Sequence, residues 1–95
     1  MYQIMTKLPL QFKRDGFDYN QEFRQNQVAI YRQTKAKQPK NIHFEVGIIR
    51  ENATYEFHGT TIEAHESWPS SESWGVKAWT YQSLDEAMKR AKTLL

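Results

Sequence analysis

Histidine and glutamate side chains that are suited to hold a metal ion are concentrated in one short stretch of the chain. His58, Glu63, His65 and Glu66 fall within nine positions, and histidine nitrogens and carboxylate oxygens are common zinc ligands. Their spacing matches no standard metal motif. On a strand, Glu63 and His65 share one face while Glu66 points away. We therefore favour a polar, solvated strand edge and predict no metal site.

The serines are the next candidates for chemistry, because a nucleophile, a base and an orienting group must converge for nucleophilic catalysis. Four of the five serines lie in residues 67–73, and none of the five lies in a Gly-x-Ser-x-Gly elbow. The chain has no cysteine, which excludes thiol catalysis, disulfides and cysteine-bound metal. Its four glycines are isolated and form no phosphate-binding loop. These features predict a protein that is not an enzyme and needs no cofactor.

Four basic residues lie close together in residues 32–40, which we predict to be a hairpin loop. These candidate phosphate contacts are Arg32, Lys35, Lys37 and Lys40. Sheets that bind single-stranded nucleic acid combine basic loops with aromatic faces on which bases stack. Tyr31, Trp79 and Tyr81 are candidates for such a face. Six of the eleven acidic residues lie between positions 45 and 72, so half of the domain is not basic, and nucleic-acid binding is the alternative hypothesis.

The abundance of aromatic residues, 14% of the chain, favours a protein–protein interface. One helix covers only one face of a sheet, and an uncovered apolar face is typical of an interface. Tryptophan and tyrosine are also the residue types that anchor interfaces. The candidate interface or stacking residues are Tyr31, Trp68, Trp74, Trp79 and Tyr81. The predicted partner is a protein, with self-association as a homodimer the simplest case.

These side chains must be positioned by strands. Residues 42–48 form the clearest strand, because Ile42, Phe44, Val46 and Ile48 share one parity. Gly47 within this strand suggests a bulge or the close approach of a backbone or ring. Phe17, Tyr19 and Phe23 share one parity in an earlier strand, and residues 28–31 form a compact apolar run. Tyr55 and Phe57 mark a short strand, and residues 74–81 are predicted as the last strand.

A C-terminal helix is the best-specified element. Ser83 and Glu86 form a capping box. Leu84, Ala87, Met88 and Ala91 then recur at helical spacing. The pattern predicts a helix over residues 84–95 that lies across one face of the sheet.

The length of 95 residues suits one domain with one core. We divide the chain into an N-terminal arm or edge strand, residues 1–14, and a single domain, residues 15–95. The N-terminus lacks a basic start followed by a long apolar run, so we predict no signal peptide. No window is long and apolar enough to span a membrane. The expected location is the cytoplasm, with no membrane partner.

A resemblance extends over roughly the C-terminal half of the chain. It is carried by a Glu–Pro–Ser segment in residues 66–73, the Trp74-Gly75 step, the Trp79-Thr80-Tyr81 strand and the closing helix with Glu86-Ala87. Residues 44–50 also contribute. This pattern resembles small uncharacterised proteins encoded by phages and prophages. The resemblance implies a phage-type accessory protein in the host cytoplasm, and it draws attention to residues 69–71 and the Trp74-Gly75 step.

We therefore predict an α+β fold, in which an antiparallel sheet of four to five strands carries one C-terminal amphipathic helix on one face. The predicted function is that of a non-enzymatic binding module of phage or prophage type, acting through a protein–protein interface. The alternative is single-stranded nucleic-acid binding through an aromatic sheet face and the basic loop.

Overall fold

The computed structural model describes residues 5–35 and 37–95. The strands in this part of the chain are β1 (Gln11–Arg14), β2 (Phe17–Gln25), β3 (Val28–Lys35), β4 (Gln38–Ile48), β5 (Arg50–Asn52), β6 (Tyr55–Phe57), β7 (Thr60–Ile62), β8 (His65–Ser67) and β9 (Ala78–Tyr81). Ser71–Ser73 forms a 3₁₀ turn, and the helix α1 spans Leu84–Leu94.

Five of the strands form one antiparallel sheet in the order β1-β2-β3-β4-β9. The helix α1 packs against β3, β4 and β9 on one face of this sheet. The predicted α+β architecture, with its single C-terminal helix, is thereby confirmed. The other four strands pair as two short ribbons, β5 with β8 and β6 with β7.

The helix begins at the predicted cap. Ser83 has an extended backbone, and its hydroxyl oxygen accepts a hydrogen bond of 3.2 Å from the backbone nitrogen of Glu86. This bond satisfies one of the amides that the first helical turn leaves without an internal partner. The helix side of the sheet then forms a buried cluster of Val28, Ile30, Val46, Ala87 and Ala91.

The two faces of the sheet are built by alternation along the central strands. Val28 and Ile30 of β3 face the helix, while Ala29 and Tyr31 belong to a second cluster on the opposite face. Because neighbouring residues in a strand point to opposite sides, one compact apolar run supplies both clusters. We call the face without the helix the distal face.

A bulge in β2 separates residues whose parity is the same. The pairing of β2 with β3 shifts between Gln21 and Phe23, and one extra residue reverses the direction of every side chain that follows. Tyr19 and Phe17 consequently pack on the distal face, whereas Phe23 packs on the helix side.

Two predicted elements differ from the structure. The stretch predicted as a hairpin loop, residues 32–40, consists mainly of strand, because β3 runs to Lys35 and β4 begins at Gln38; Ala36 lies outside the described residues. The last strand is shorter than predicted. It covers only Ala78–Tyr81, because Trp74 and the following three residues form a tight turn in which Gly75 has a φ of +86°.

The N-terminal segment closes the opposite edge of the sheet. Gln11–Arg14 forms the edge strand β1, which pairs with β2. Before it, the backbone nitrogen of Thr6 donates to the carbonyl of Ala64, and that of Glu66 donates to the carbonyl of Thr6. The first four residues of the predicted arm lie outside the described residues.

Candidate functional site

The distal face is covered by the chain itself. Trp68 lies across Gly47, where an added Cβ would come within 2.7 Å of the indole ring. This confirms the predicted close approach of a ring to Gly47. Tyr31 is fully buried and meets Trp68 edge to face, with the ring centroids 4.8 Å apart. Phe12 completes this side by stacking on Tyr19 at 4.6 Å.

The candidate stacking residues therefore occupy different places. Tyr31 and Trp68 are buried in the distal cluster and present no open ring. Trp79 and Tyr81 pair with Val46 and Phe44 in the register of β4 and β9, which places them on the helix face rather than on the distal face. Trp74 stands apart, half-buried, with its indole nitrogen donating to the Thr80 hydroxyl at 2.7 Å.

Arg90 of the helix contacts both half-buried aromatic residues beside it, Trp79 and Tyr81. The Arg90 guanidinium lies 5.0 Å from the centre of a Trp79 ring, and its Nε donates to the Tyr81 hydroxyl at 2.8 Å. A cation held over an aromatic face stabilises the contact and covers the ring. These two aromatic residues consequently help to fix the helix on the sheet.

The four basic candidate residues also differ in their surroundings. Arg32 pairs with Glu22 at 3.3 Å, and the Lys35 ammonium lies 5.5 Å from the centre of the Phe17 ring. Lys37 and Lys40 are exposed and make no ion pair among the described residues. The part of this group that remains most open to a ligand is thus the pair of lysines near the turn between β3 and β4.

Glu45 is a buried carboxyl on the distal face. Trp68 Nε1 donates to its Oε1 at 3.0 Å, and the Tyr19 hydroxyl donates to its Oε2 at 3.4 Å. Burial raises the pKa of the Glu45 carboxyl above its usual value, and these two hydrogen bonds oppose that rise. The carboxyl holds Trp68 in place, and it also borders a small pocket of about 230 Å³ beside Arg14 and Trp74.

Glu66 is the second buried carboxyl, and it has a full counter-charge. Its two oxygens accept hydrogen bonds of 2.7 and 2.6 Å from the Arg24 guanidinium. Its Oε1 also accepts from the backbone nitrogen of Leu8 at 3.0 Å. The hydrogen bonds from Arg24 hold the pKa of the Glu66 carboxyl at about 2. This ion pair fixes β8 to β2 and to the N-terminal segment.

Residues 50–67 form a hairpin arm that begins at this fixed base. The two ribbons keep one pairing register, because Arg50 pairs with Ser67, Tyr55 with Ile62 and Phe57 with Thr60. His58 and Gly59 make the turn with φ of +49° and +77°. Positive φ at both central residues is what a type I′ hairpin turn requires, and that turn matches the natural twist of the strands.

One face of the arm carries exposed aromatic rings. Tyr55 is 50% exposed and Phe57 is 60% exposed. Their cross-strand partners Ile62 and Thr60 lie on the same face, since directly paired residues of an antiparallel ribbon point to the same side. The opposite face carries Glu56 and Thr61. The arm is thus an amphipathic ribbon whose apolar face leaves Tyr55 and Phe57 at least half exposed. The His58 ring of the turn meets the Phe57 ring edge to face, with the centroids 4.2 Å apart.

Sequence reasoning recognised Tyr55 and Phe57 only as a short strand and did not include them among the candidate site residues. The available signal was the alternation of the two rings directly before His58-Gly59, a pair suited to a tight hairpin turn. What the sequence does not contain is the information that both rings stay at least half exposed in the folded chain.

A surface cleft lies where the resemblance directed attention. It has a volume of about 570 Å³. Its lining residues are Gln27, Ile48, Ile49, Arg50, Glu51, Ser67, Trp68, Pro69, Ser70, Ser73 and Lys77. No histidine lines it, so its serines have no neighbouring imidazole base. Across residues 5–35 and 37–95, no three histidine or carboxylate side chains come together in a group that would hold a metal ion.

No helix in the described ranges is both long and apolar enough to cross a lipid bilayer. Comparison of the chain with protein-family models, with curated proteins and with solved structures found no match. The resemblance to phage-encoded proteins therefore stays a prediction.

Proposed function

We propose that this chain is a non-enzymatic binding module that acts through a protein–protein interface, with the hairpin arm as its contact surface. The observation that carries the proposal is the exposure of the Tyr55 and Phe57 rings on one face of the arm. Aromatic side chains contribute large contact areas and are the residues that most often anchor interfaces.

The base of the arm supports this assignment. The ion pair between Arg24 and Glu66, both largely buried, ties β8 to the five-stranded sheet. Trp68, immediately after β8, is locked by its hydrogen bond to Glu45. A contact surface held on a fixed support loses less conformational freedom on binding than a flexible loop does. The arm is thus suited to present its rings in one orientation.

We also propose that the protein has an accessory role of phage or prophage type in the host cytoplasm. This part of the proposal rests on the resemblance of residues 66–81 and of the closing helix to small phage-encoded proteins. Such an accessory role fits a module that acts by binding another protein rather than by catalysis.

The nucleic-acid alternative has less support from the geometry. Lys37 and Lys40 are available for phosphate contacts, but Tyr31 and Trp68 are buried and Trp79 is covered by Arg90. Without open rings, binding through an aromatic sheet face would require the distal cluster to open. Phosphate contacts alone would give weak, sequence-independent and strongly salt-dependent binding.

The proposal can be tested by replacing Phe57 with a photo-crosslinking amino acid. The control carries the same amino acid at Val76, which is 71% exposed but lies outside the arm. In extracts of the cells that express the protein, we expect a discrete protein adduct from position 57 and none from position 76. Adducts in equal yield from both positions, or none from position 57, would exclude the arm as the contact surface.

A further inference from the structure

Unpaired charges of opposite sign collect at the two ends of the molecule. Glu51, Glu56 and Glu63 of the arm are exposed and make no ion pair among the described residues. The same is true of Lys35, Lys37 and Lys40 beside the turn between β3 and β4, which we call the lysine end. The arm thus carries three solvent-facing carboxylates against one exposed guanidinium, that of Arg50. The lysine end carries the exposed Lys37 and Lys40, with the Lys35 ammonium beside the Phe17 ring.

These two groups cannot meet within one molecule. The strand β4 starts at the lysine end with Gln38 and finishes at Ile48, one residue before β5 begins the arm. The eleven residues of β4 separate the two ends by up to about 33 Å, because a strand rises about 3.3 Å per residue. The complementary ends can neutralise one another only between two copies of the chain.

The chemistry of the two ends also matches beyond net charge. The arm offers aromatic faces beside its carboxylates, and lysine has an apolar stem that covers rings and an ammonium group that is attracted to their faces. The lysine end has a shallow depression of about 380 Å³ lined by Lys37, Gln38, Lys40 and Asn41. The arm, with Tyr55 and Phe57 beside its carboxylates, is therefore better matched to the lysine end of another copy than to that copy's arm, which carries the same charge.

We propose that the partner of the arm is a second copy of this chain, bound head to tail, with the arm of one copy on the lysine end of the next. This proposal rests on the proposed function, because it names the partner of the same contact surface. Such an interface is heterologous, so it leaves one free arm and one free lysine end in a dimer. Continued addition would then form a ring if the rotation closes and a filament if it does not.

Charge exchange between the ends provides the test, read by sedimentation velocity over a range of protein concentrations. E56K/E63K and K37E/K40E each make the two ends alike in sign, and we expect each to weaken association by roughly tenfold or more. The variant that combines all four substitutions keeps the net charge of +2, and we expect it to associate as the wild-type chain does. Association of the wild type should also weaken as salt rises from about 0.05 M to about 0.5 M.

The controls separate this inference from the proposed function. K89E/K92E reverses two exposed charges on the helix and should associate normally.

If K37E/K40E leaves association intact while Y55S/F57S abolishes it, the arm binds elsewhere on the second copy and the head-to-tail inference is wrong. If the wild type stays at 11.3 kDa at every concentration while position 57 still gives a discrete adduct with a different protein, the head-to-tail inference fails and the proposed function stands. If an oligonucleotide, rather than the arm, occupies the lysine end in competition experiments, the inference is likewise overturned.

Discussion

Glu45 and Glu66 are both buried carboxyls, but their surroundings shift their pKa values in opposite directions. Glu45 has neutral hydrogen-bond donors only, Trp68 and Tyr19, and its pKa is raised by burial. Glu66 has the Arg24 guanidinium, and its pKa is lowered to about 2. The same residue type therefore opposes folding at one position when it is ionised and favours folding at the other.

Replacement of Glu45 by glutamine is expected to stabilise the protein at neutral pH. A raised pKa in the folded state means that the stability contributed by the protonated form is lost as the pH rises through that pKa. The amide introduced by E45Q keeps an oxygen for the Trp68 indole nitrogen and carries no charge, so this variant should gain about 1 kcal/mol. The measurement is urea denaturation at several pH values, with the advantage of E45Q shrinking as the pH falls toward the usual pKa of glutamate.

Alanine at the same position gives the matched contrast. E45A leaves the Trp68 indole nitrogen buried without an acceptor, and such an unsatisfied group costs about 1–3 kcal/mol. A result in which E45A and E45Q are equally stable would show that the Trp68–Glu45 hydrogen bond does not hold the distal cluster together.

The Arg24–Glu66 pair is expected to make the fold sensitive to acid. Because the pKa of Glu66 is lowered in the folded state, its contribution is complete above pH 4.5 and is lost as the pH falls from 4.5 toward 2. E66Q leaves Arg24 without its counter-charge and should cost about 3 kcal/mol at neutral pH. Acid titration of stability should be flatter in E66Q than in the wild type. The exposed Glu63 serves as control, and a loss from E63Q as large as that from E66Q would contradict this role.

Prediction from sequence succeeds at residue level where the reason is local. A glycine inside the strongest strand indicated a close approach, and the Trp68 ring lies there. Glu45 gave no such signal, because its position in the strand alternates like any polar residue. Its burial depends on Trp68, which is 23 residues away in sequence, and on the folding of the segment after β8 across the sheet.

At the scale of elements, the helix was predictable because its determinants are contiguous. The cap, the helical spacing and the charges at its ends lie within one short segment, and α1 begins at Leu84 as predicted. The strands were less predictable, because a bulge has no clear local signature. The bulge between Gln21 and Phe23 moves Phe23 to the helix side, although its parity matches Tyr19.

Removal of the cap tests the local contribution to the helix. S83A removes the oxygen that accepts from the Glu86 amide, and we expect a loss of about 1 kcal/mol. Thermal denaturation followed by circular dichroism at about 222 nm measures it. S83D retains a capping oxygen and should remain close to the wild type, so equal losses in both variants would show that the cap adds little.

The arm shows where prediction at this scale ends. Its turn and the two strands next to that turn, β6 and β7, are marked by alternation and by the His58-Gly59 pair. The sequence gives no indication that β5 and β8 continue the same register, or that the apolar face is left uncovered. Whether the apolar face of the arm is exposed depends on where the rest of the chain packs, so its exposure was visible only in the structure.

At the scale of the whole molecule, the chain covers both faces of its sheet. The helix covers one, and Trp68 with Phe12 covers the other. The sequence left open what covers the face without the helix, and the structure shows that the chain's own segments cover it. The exposed aromatic surface lies instead on the arm, at the opposite end of β4 from the lysine end.

The central claim is that the Tyr55 and Phe57 face of the arm becomes buried when molecules associate. Hydroxyl-radical footprinting at low and high protein concentration measures this directly, with Leu10, 70% exposed on the far edge of the sheet, as the internal reference. We expect oxidation of Tyr55 and Phe57 to fall by several-fold at high concentration while that of Leu10 stays constant, since burial of a ring removes its contact with solvent. Unchanged oxidation of both rings at concentrations where the protein has associated would contradict the account.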